Sequence, residues 1–343
     1  MTDPAGKPLL DVRDLQVHFP VRSGARRSRA LVKAVDHVSF TIGAGETLGL
    51  VGESGCGKST TGLAVQGLTE PTAGQILLEG TDLTTLKGAE RRMARRRTQM
   101  VFQDPTSSLN SRMTIAEILE EPLLVHRIVP PGQRRDRVHQ LLEQVGMPAY
   151  AAQRFPHEFS GGQRQRVAIA RALAVEPALI VCDEPVAALD VSIRAQVLNL
   201  FRDLQDERDL SYLFISHDLS AVYHVADRIL VMYLGRPMEL TDRETLYHRA
   251  RHPYTAALLS AVPVPDPDVE QTRERILLTG DVPSPVAPPS GCVFRTRCPM
   301  AQEVCAVEVP AWRDIGADGR THLVACHFAE DTAVVLPDPV GAV

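Results

Sequence analysis

The sequence predicts an α/β protein, a parallel sheet with helices on both faces, and three observations predict it. First, Gly52-Glu-Ser-Gly-Cys-Gly-Lys-Ser59 fits G-x-x-x-x-G-K-[ST] and lies between an apolar run, Thr47–Val51, and a helical stretch from Thr60 to Gln66. Second, Ala178-Leu-Ile-Val-Cys182 is a compact apolar run of the kind expected of a central parallel strand, and it ends in Asp183-Glu184. Third, a helical stretch from Ser192 to about Glu207 leads to another such run, Tyr212–Ser216, which ends at His217. Strand–helix alternation of this kind places crossover helices on both faces of one parallel sheet.

The glycine loop carries the first chemistry. Gly52, Gly55 and Gly57 let the backbone curl, so that N–H groups from Ser54, Cys56, Lys58, Ser59 and Thr60 converge on an anion at a helix N-terminus. Lys58 would reach the β- and γ-phosphates of a nucleotide, and the Ser59 hydroxyl would ligate Mg²⁺. Cys56 reads as a thiolate favoured by nearby N–H dipoles and Lys58, or as a small neutral filler. Carboxylates at the end of a buried strand lie where ligands bind in open α/β sheets. Asp183 would hold Mg²⁺ through its water shell, and Glu184 would take a proton from a water attacking the γ-phosphate. His217 would touch the same phosphate.

In chain order, Leu10 to Phe19 alternates in part like a strand, and Val35 to Ile42 reads as its antiparallel partner. Between them, Pro20 to Arg29 is a basic loop with Arg22, Arg26, Arg27 and Arg29, either a solvated hairpin tip or a contact for acidic lipid or a partner. Phe19 either stacks on a purine or belongs to the core. Gln75–Glu79 and Gln99–Gln103 read as short strands, and Ala89–Arg97, with Arg91, Arg92, Arg95, Arg96 and Arg97, as a charged helix. From Thr114 to Phe159 the pattern turns helical, broken at Pro130-Pro131-Gly132 and Pro148, as an insertion before the next parallel strand. Ser160 is an N-cap candidate for a further helix reaching about Val175.

Composition sets the outer bounds. With 37 Lys and Arg against 42 Asp and Glu, the net charge of −5 argues against general nucleic-acid binding. No apolar run approaches the roughly 18 residues of a membrane span, and the N-terminus lacks a signal-peptide core. The expectation is a cytosolic protein whose membrane role comes through partners.

The order of phosphate loop, Gln103, Phe159-Ser-Gly-Gly-Gln163, Leu179–Asp183 with Glu184, Ala188-Leu-Asp190 and Ile215-Ser-His-Asp218 resembles the nucleotide-binding subunits of ABC transporters. The resemblance covers nearly all of the chain, and its Ser-Gly-Gly-Gln element is far more specific than the phosphate loop. It implies a P-loop NTPase (RecA-like) core with an antiparallel β-subdomain, a helical insertion at about 104–175 within a domain of 9–262, and a Pro- and Cys-rich extension over 263–330. It makes Glu184, His217 and Gln103 the catalytic group and adds Gln103 to Ser59 and Asp183 as a Mg²⁺ ligand. Phe19, Gly52, Ser54, Gly55, Cys56, Gly57, Lys58, Ser59 and Thr60 then bind ATP from one side. Ser160, Gly161, Gly162, Gln163 and Asp190 close it from a second subunit, because a helix N-terminus favours an anion but cannot reach its own phosphate loop. Two departures, Phe159 for the commoner Leu and Ala187 where Ser is frequent, remove no catalytic group.

Narrower features resemble the peptide importers of that family. Phe102-Gln-Asp-Pro-Thr-Ser-Ser-Leu-Asn110 and Arg251-His-Pro-Tyr-Thr-Ala-Ala-Leu-Leu-Ser-Ala-Val-Pro-Val-Pro265 look like oligopeptide and dipeptide permease ATPases, with loop flanks closer to the F-type than the D-type subunit. This implies an ATPase on the cytoplasmic face of the membrane, powering import of di- or oligopeptides. Its partners would be a D-type paralogue or a second copy, two integral permease subunits and, indirectly, an extracytoplasmic solute-binding protein, with no nucleic acid. Similar chains serve nickel and glutathione, and the other readings are a soluble ABC-type ATPase or a small-molecule kinase. Near the end, Cys292, Cys298, Cys305 and Cys326 are spaced by five, six and twenty residues. Four thiolates suit Zn²⁺ or an iron–sulfur cluster. The segment resembles the cysteine extension of peptide-permease ATPases, which implies a 4Fe–4S cluster, with Zn²⁺ and then unligated thiols as the alternatives.

Overall fold

The structure is a computed structural model, and it describes residues 7–23, 28–263, 275–317 and 319–331. The chain opens with a hairpin, β1 (Leu10–Ser23) and β2 (Ser28–Ile42), longer than the sequence pattern suggested. The alternation in β1 is partial because its parity changes at a bulge. Leu10 and Val12 face the core, and Leu15 and Val17 do so again after Asp14 takes a left-handed φ of 48°. The side chains of the four arginines of the basic loop lie outside the described residues.

β3 (Thr47–Val51) runs through the glycine loop into α1 (Lys58–Val65). β4 (Ala73–Leu78) and β5 (Thr81–Asp82) complete an antiparallel sheet ordered β2-β1-β4-β5. α2 (Gly88–Arg97) buries no residue, yet it is more than a solvated face. Arg91 and Arg95 both donate to the Gly67 carbonyl, at 2.8 and 2.6 Å, Arg96 donates to that of Val175 at 3.2 Å, and Arg97 pairs with Glu79. β6 (Thr98–Val101) follows, and the strand stops two residues short of Gln103.

The helical insertion comprises α3 (Pro105–Ser108), α4 (Ile115–Val125), α5 (Arg134–Gln144) and α6 (Gly161–Leu173). Both long starts are capped reciprocally, Thr114 with Glu117 and Ser160 with Gln163. The breaks fall at the prolines, with 3₁₀ turns at Pro131–Gln133, Ala149–Gln153 and Pro156–Glu158. Ile118, Leu119, Leu141, Leu142, Val167 and Ile169 join the insertion to the core under the main sheet.

β7 (Leu179–Asp183), α7 (Val191–Arg208) and β8 (Ser211–Ser216) follow as expected, every residue of both strands being buried. This is why they read as unbroken apolar runs. The chain then adds α8 (Leu219–Val225), β9 (Arg228–Tyr233), β10 (Arg236–Asp242), α9 (Arg243–Arg249) and α10 (Pro253–Ser260). In the extension are α11 (Glu303–Val307), β11 (Arg313–Asp314) and β12 (Leu323–Val324). The main sheet is ordered β11-β12-β10-β9-β3-β8-β7-β6, parallel from β9 to β6 and antiparallel beyond. The extension therefore continues the sheet rather than hanging from it: Glu239 pairs with Val324, and Leu240 with Leu323. Among the described residues, no helix is long and apolar enough to cross a membrane.

Candidate functional site

The carboxyl ends of β3, β7 and β8 and the residues past β6 meet at one place. Ser54, Gly55, Gly57, Lys58, Ser59, Thr60, Gln103 and Glu184 line a cavity of about 240 Å³. The phosphate loop, Gln103 and Glu184, far apart in the chain, thus meet at one site along a parallel sheet. Gly57 has a φ of 106°, and a Cβ there would stand 2.1 Å from the Ala34 carbonyl, so glycine alone fits. Lys58 is folded back on its own loop, donating to the carbonyls of Gly52 at 2.7 Å and Glu53 at 3.1 Å. Those bonds keep a buried ammonium satisfied, and a phosphate would exchange for them.

Ser59 Oγ donates to Asp183 Oδ1 at 2.8 Å, which puts two oxygen ligands suited to Mg²⁺ side by side. Burial raises the Asp183 pKa and Glu184's charge adds to that, while the Ser59 bond and Lys58 oppose it. Holding a cation requires the ionised form, so Mg²⁺ would draw this carboxyl back down.

Glu184 is the centre of the constellation. Its φ of 47° is left-handed, a strained setting for a side chain with a Cβ, and its N–H is fixed to the Ile215 carbonyl at 2.9 Å. Gln103 Nε2 donates to Glu184 Oε2 at 3.1 Å, and His217 Nδ1 lies 3.1 Å from Oε1. A carboxylate held on both oxygens, beside a Mg²⁺-type oxygen pair, can orient a water and take its proton.

Other predicted residues lie elsewhere. Ser160 Oγ accepts from the Gln163 N–H at 3.3 Å and the Gln163 side chain accepts from the Ser160 N–H at 3.0 Å, closing a capping box. Neither they nor Gly161 and Gly162 line the phosphate-loop cavity. Gly162 is instead pressed on α7, where a Cβ would meet Ile193 Cγ2 at 2.2 Å. Asp190 caps α7, accepting from the Ile193 N–H at 3.0 Å. Phe19 is 41% exposed and pairs in register with Val32, a residue of the cavity wall, so it stands beside the site as a partly free aromatic.

The thiolate expectation for Cys56 is corrected. Its side chain is buried, and desolvation outweighs Lys58 and the backbone dipoles, so the pKa rises. The burial favours the other reading of Cys56, a small neutral filler. Cys56 in the folded chain is therefore expected to resist maleimide at neutral pH, with or without ATP, and to label once the chain is denatured; rapid native labelling that ATP blocks would restore the thiolate.

The wall of the cavity also contains residues that no motif announced, Lys33, Ala34, Leu234, Gly235 and Pro285. Leu234 and Gly235, both at positive φ, form the two-residue turn between β9 and β10, and the Gly235 N–H donates to the Cys56 carbonyl at 2.9 Å. The apolar run Ile229–Tyr233 followed by Leu-Gly was the available signal.

The four tail cysteines do converge, lining one common space with Phe294 and His252. Burial raises the pKa of Cys292 and pushes Cys298 and Cys326 up to about 11, each thiol disfavouring ionisation of its neighbours. The donor set suits a soft metal centre. The expectation of a formed cluster site is nonetheless not met by the side chains as they stand: among the described residues, no three His, Cys, Asp or Glu groups are arranged to hold a metal ion.

Comparison with known proteins agrees with this geometry. Residues 35–187 match the family model described as ABC transporter, and residues 238–305 match that of the oligopeptide/dipeptide transporter C-terminal region. The chain is 52% identical to the oligopeptide transport ATP-binding protein AppF of Bacillus subtilis, over 96% of this chain and 99% of that one. It is 53% identical to OppF, the oligopeptide transport ATP-binding protein of Salmonella typhimurium, over 89% and 92% of the two chains. Among solved structures, an ATP-binding cassette captured as a dimer with ADP and phosphate after hydrolysis superposes with a TM-score of 0.60 at 27% identity, over 68% of this chain and 98% of that one. The chain belongs to the ATP-binding subunits of ABC transporters, the ATPases of that family, in its oligopeptide/dipeptide branch.

Proposed function

We propose that this chain is an F-type subunit that hydrolyses ATP to drive import of di- or oligopeptides through a membrane permease. The observation that carries the reading is the division of the site: a complete phosphate loop and base on one surface, and a capped Ser160-Gly-Gly-Gln163 helix start that takes no part in it. Such a helix start offers unpaired backbone donors to an anion brought from outside. ATP then lies between the phosphate loop, Mg²⁺ held by Ser59, Asp183 and Gln103, and the signature helix and Asp190 of a second subunit, a D-type paralogue or another copy. Lys58 shifts from its own carbonyls to the phosphates, Glu184 takes the proton of the attacking water, and His217 faces the γ-phosphate. Gln103, which follows β6 and precedes the helical insertion, passes closure to two integral permease subunits on the cytoplasmic side.

In this reading residues 9–262 form the cassette, with its helical subdomain at about 104–175, and 263–330 form the extension. The names of the relatives support peptides over nickel or glutathione. In a reconstituted complex, a peptide-loaded solute-binding protein is expected to stimulate ATP turnover several-fold, and turnover indifferent to every peptide and raised by a nickel chelate would replace the substrate. For the tail we propose a 4Fe–4S cluster on Cys292, Cys298, Cys305 and Cys326, with Zn²⁺ as the alternative. When bound, such a group would cross-link an extension with little core of its own. Brown protein absorbing in the visible blue supports iron; colourless protein with one bound zinc supports the alternative.

A further inference from the structure

We propose that Arg297, in the cysteine-rich turn, is a positioning residue for the phosphate loop, so that the extension sets the affinity of this chain for ATP through Glu53. Glu53 is the second residue of the loop motif, a place where the motif itself asks for nothing. Here each of its polar groups is used. Its N–H donates to the Tyr254 hydroxyl at 2.9 Å, its carbonyl accepts from Lys58 Nζ at 3.1 Å and from the Cys56 N–H at 3.2 Å, and its carboxylate accepts from Arg297 Nη1 at 2.7 Å. The partner comes from 244 residues away, and the Arg297 side chain is only 9% exposed.

Arg297 is held in turn. Its guanidinium lies 5.9 Å from the centre of the Tyr233 ring, and its N–H donates to the Phe294 carbonyl at 2.9 Å. Phe294 is fully buried against Tyr233 and Tyr254, with ring centres 5.3 Å away in both cases. The turn Cys292–Cys298 thus carries two of the four thiols, an aromatic plug and the cation that pins the loop. Losing Arg297 would do two things. It would free the loop backbone that presents Lys58, and it would strand a largely covered carboxylate beside a site meant for phosphates. Both effects weaken ATP binding and leave the reacting groups at Glu184 alone.

The inference takes Gly52–Ser59 as the phosphate site, so Lys58→Ala is the control for that reading. In the assembled transporter, Arg297→Gln is expected to raise KM for ATP about tenfold with kcat within about twofold. Adding Glu53→Gln should recover most of that KM, since the stranded charge is gone. Arg297→Lys, which keeps the charge without the fork, should raise KM about threefold, and it carries the test if Arg297→Gln does not fold. An unchanged KM in the Arg297 variants while Lys58→Ala abolishes ATP binding overturns the proposal. A double variant worse than Arg297→Gln alone overturns it too. If Lys58→Ala also leaves KM unchanged, the phosphate-loop assignment fails and the proposal falls with it.

Discussion

Glu184→Gln is expected to cut ATP turnover by about 10²–10⁴-fold, the range for loss of a general base, while ATP still binds. The substitution keeps the shape of the side chain and its ability to accept the bond from Gln103. What it removes is the basic oxygen that faces His217 at 3.1 Å. The left-handed backbone at Glu184 and its N–H bond to the Ile215 carbonyl fix where this side chain starts. Single-turnover hydrolysis and equilibrium ATP binding, measured on the same preparation, separate the two quantities. Normal turnover would remove Glu184 as the base.

The second large effect is expected from the helix start at Ser160. Ser160→Arg places a bulky cation at the N-terminus of α6 and opens the capping box, while Gly162→Ala forces a Cβ toward Ile193. Neither residue lines the phosphate-loop cavity of its own chain. ATP binding by the isolated chain should therefore stay within about twofold, and turnover in the complex should fall about 10²–10³-fold, as for loss of preorganised anion donors. The loss should appear at the partner's phosphate loop, which nucleotide trapping on each subunit reads separately. A variant that loses ATP on its own loop instead would place the signature in cis.

Much of this was legible because strands buried on both faces leave no alternation to misread. Thr47–Val51, Leu179–Asp183 and Ser211–Ser216 are buried throughout, and the residues assigned to the site lie at or just past their carboxyl ends. Motif spacing also gave Ser160 as a cap, since its partner Gln163 is three residues on. Other features were hidden for stated physical reasons. The two-residue strands β11 and β12 are too short for any periodicity, so their union with β10 could not be read. The contact of Arg297 with Glu53 joins residues 244 apart in the chain, and no local pattern links them. Cys56 was left open between thiolate and neutral filler because dipoles are visible in a motif whereas desolvation is visible only in the fold. The arginines of α2 were read only as a charged helix face, and that two of their guanidinium groups reach the Gly67 carbonyl is visible only in the fold.

The most direct test is the size of the nucleotide-bound protein. Glu184→Gln protein with saturating ATP is expected to sediment as a dimer, of itself or with its paralogue, holding one ATP per phosphate loop. It should return to monomers when Ser160→Arg is added. Full-rate hydrolysis by a strict monomer, unaffected by changes at Ser160 and Gly162, would contradict a nucleotide clamped between two protomers.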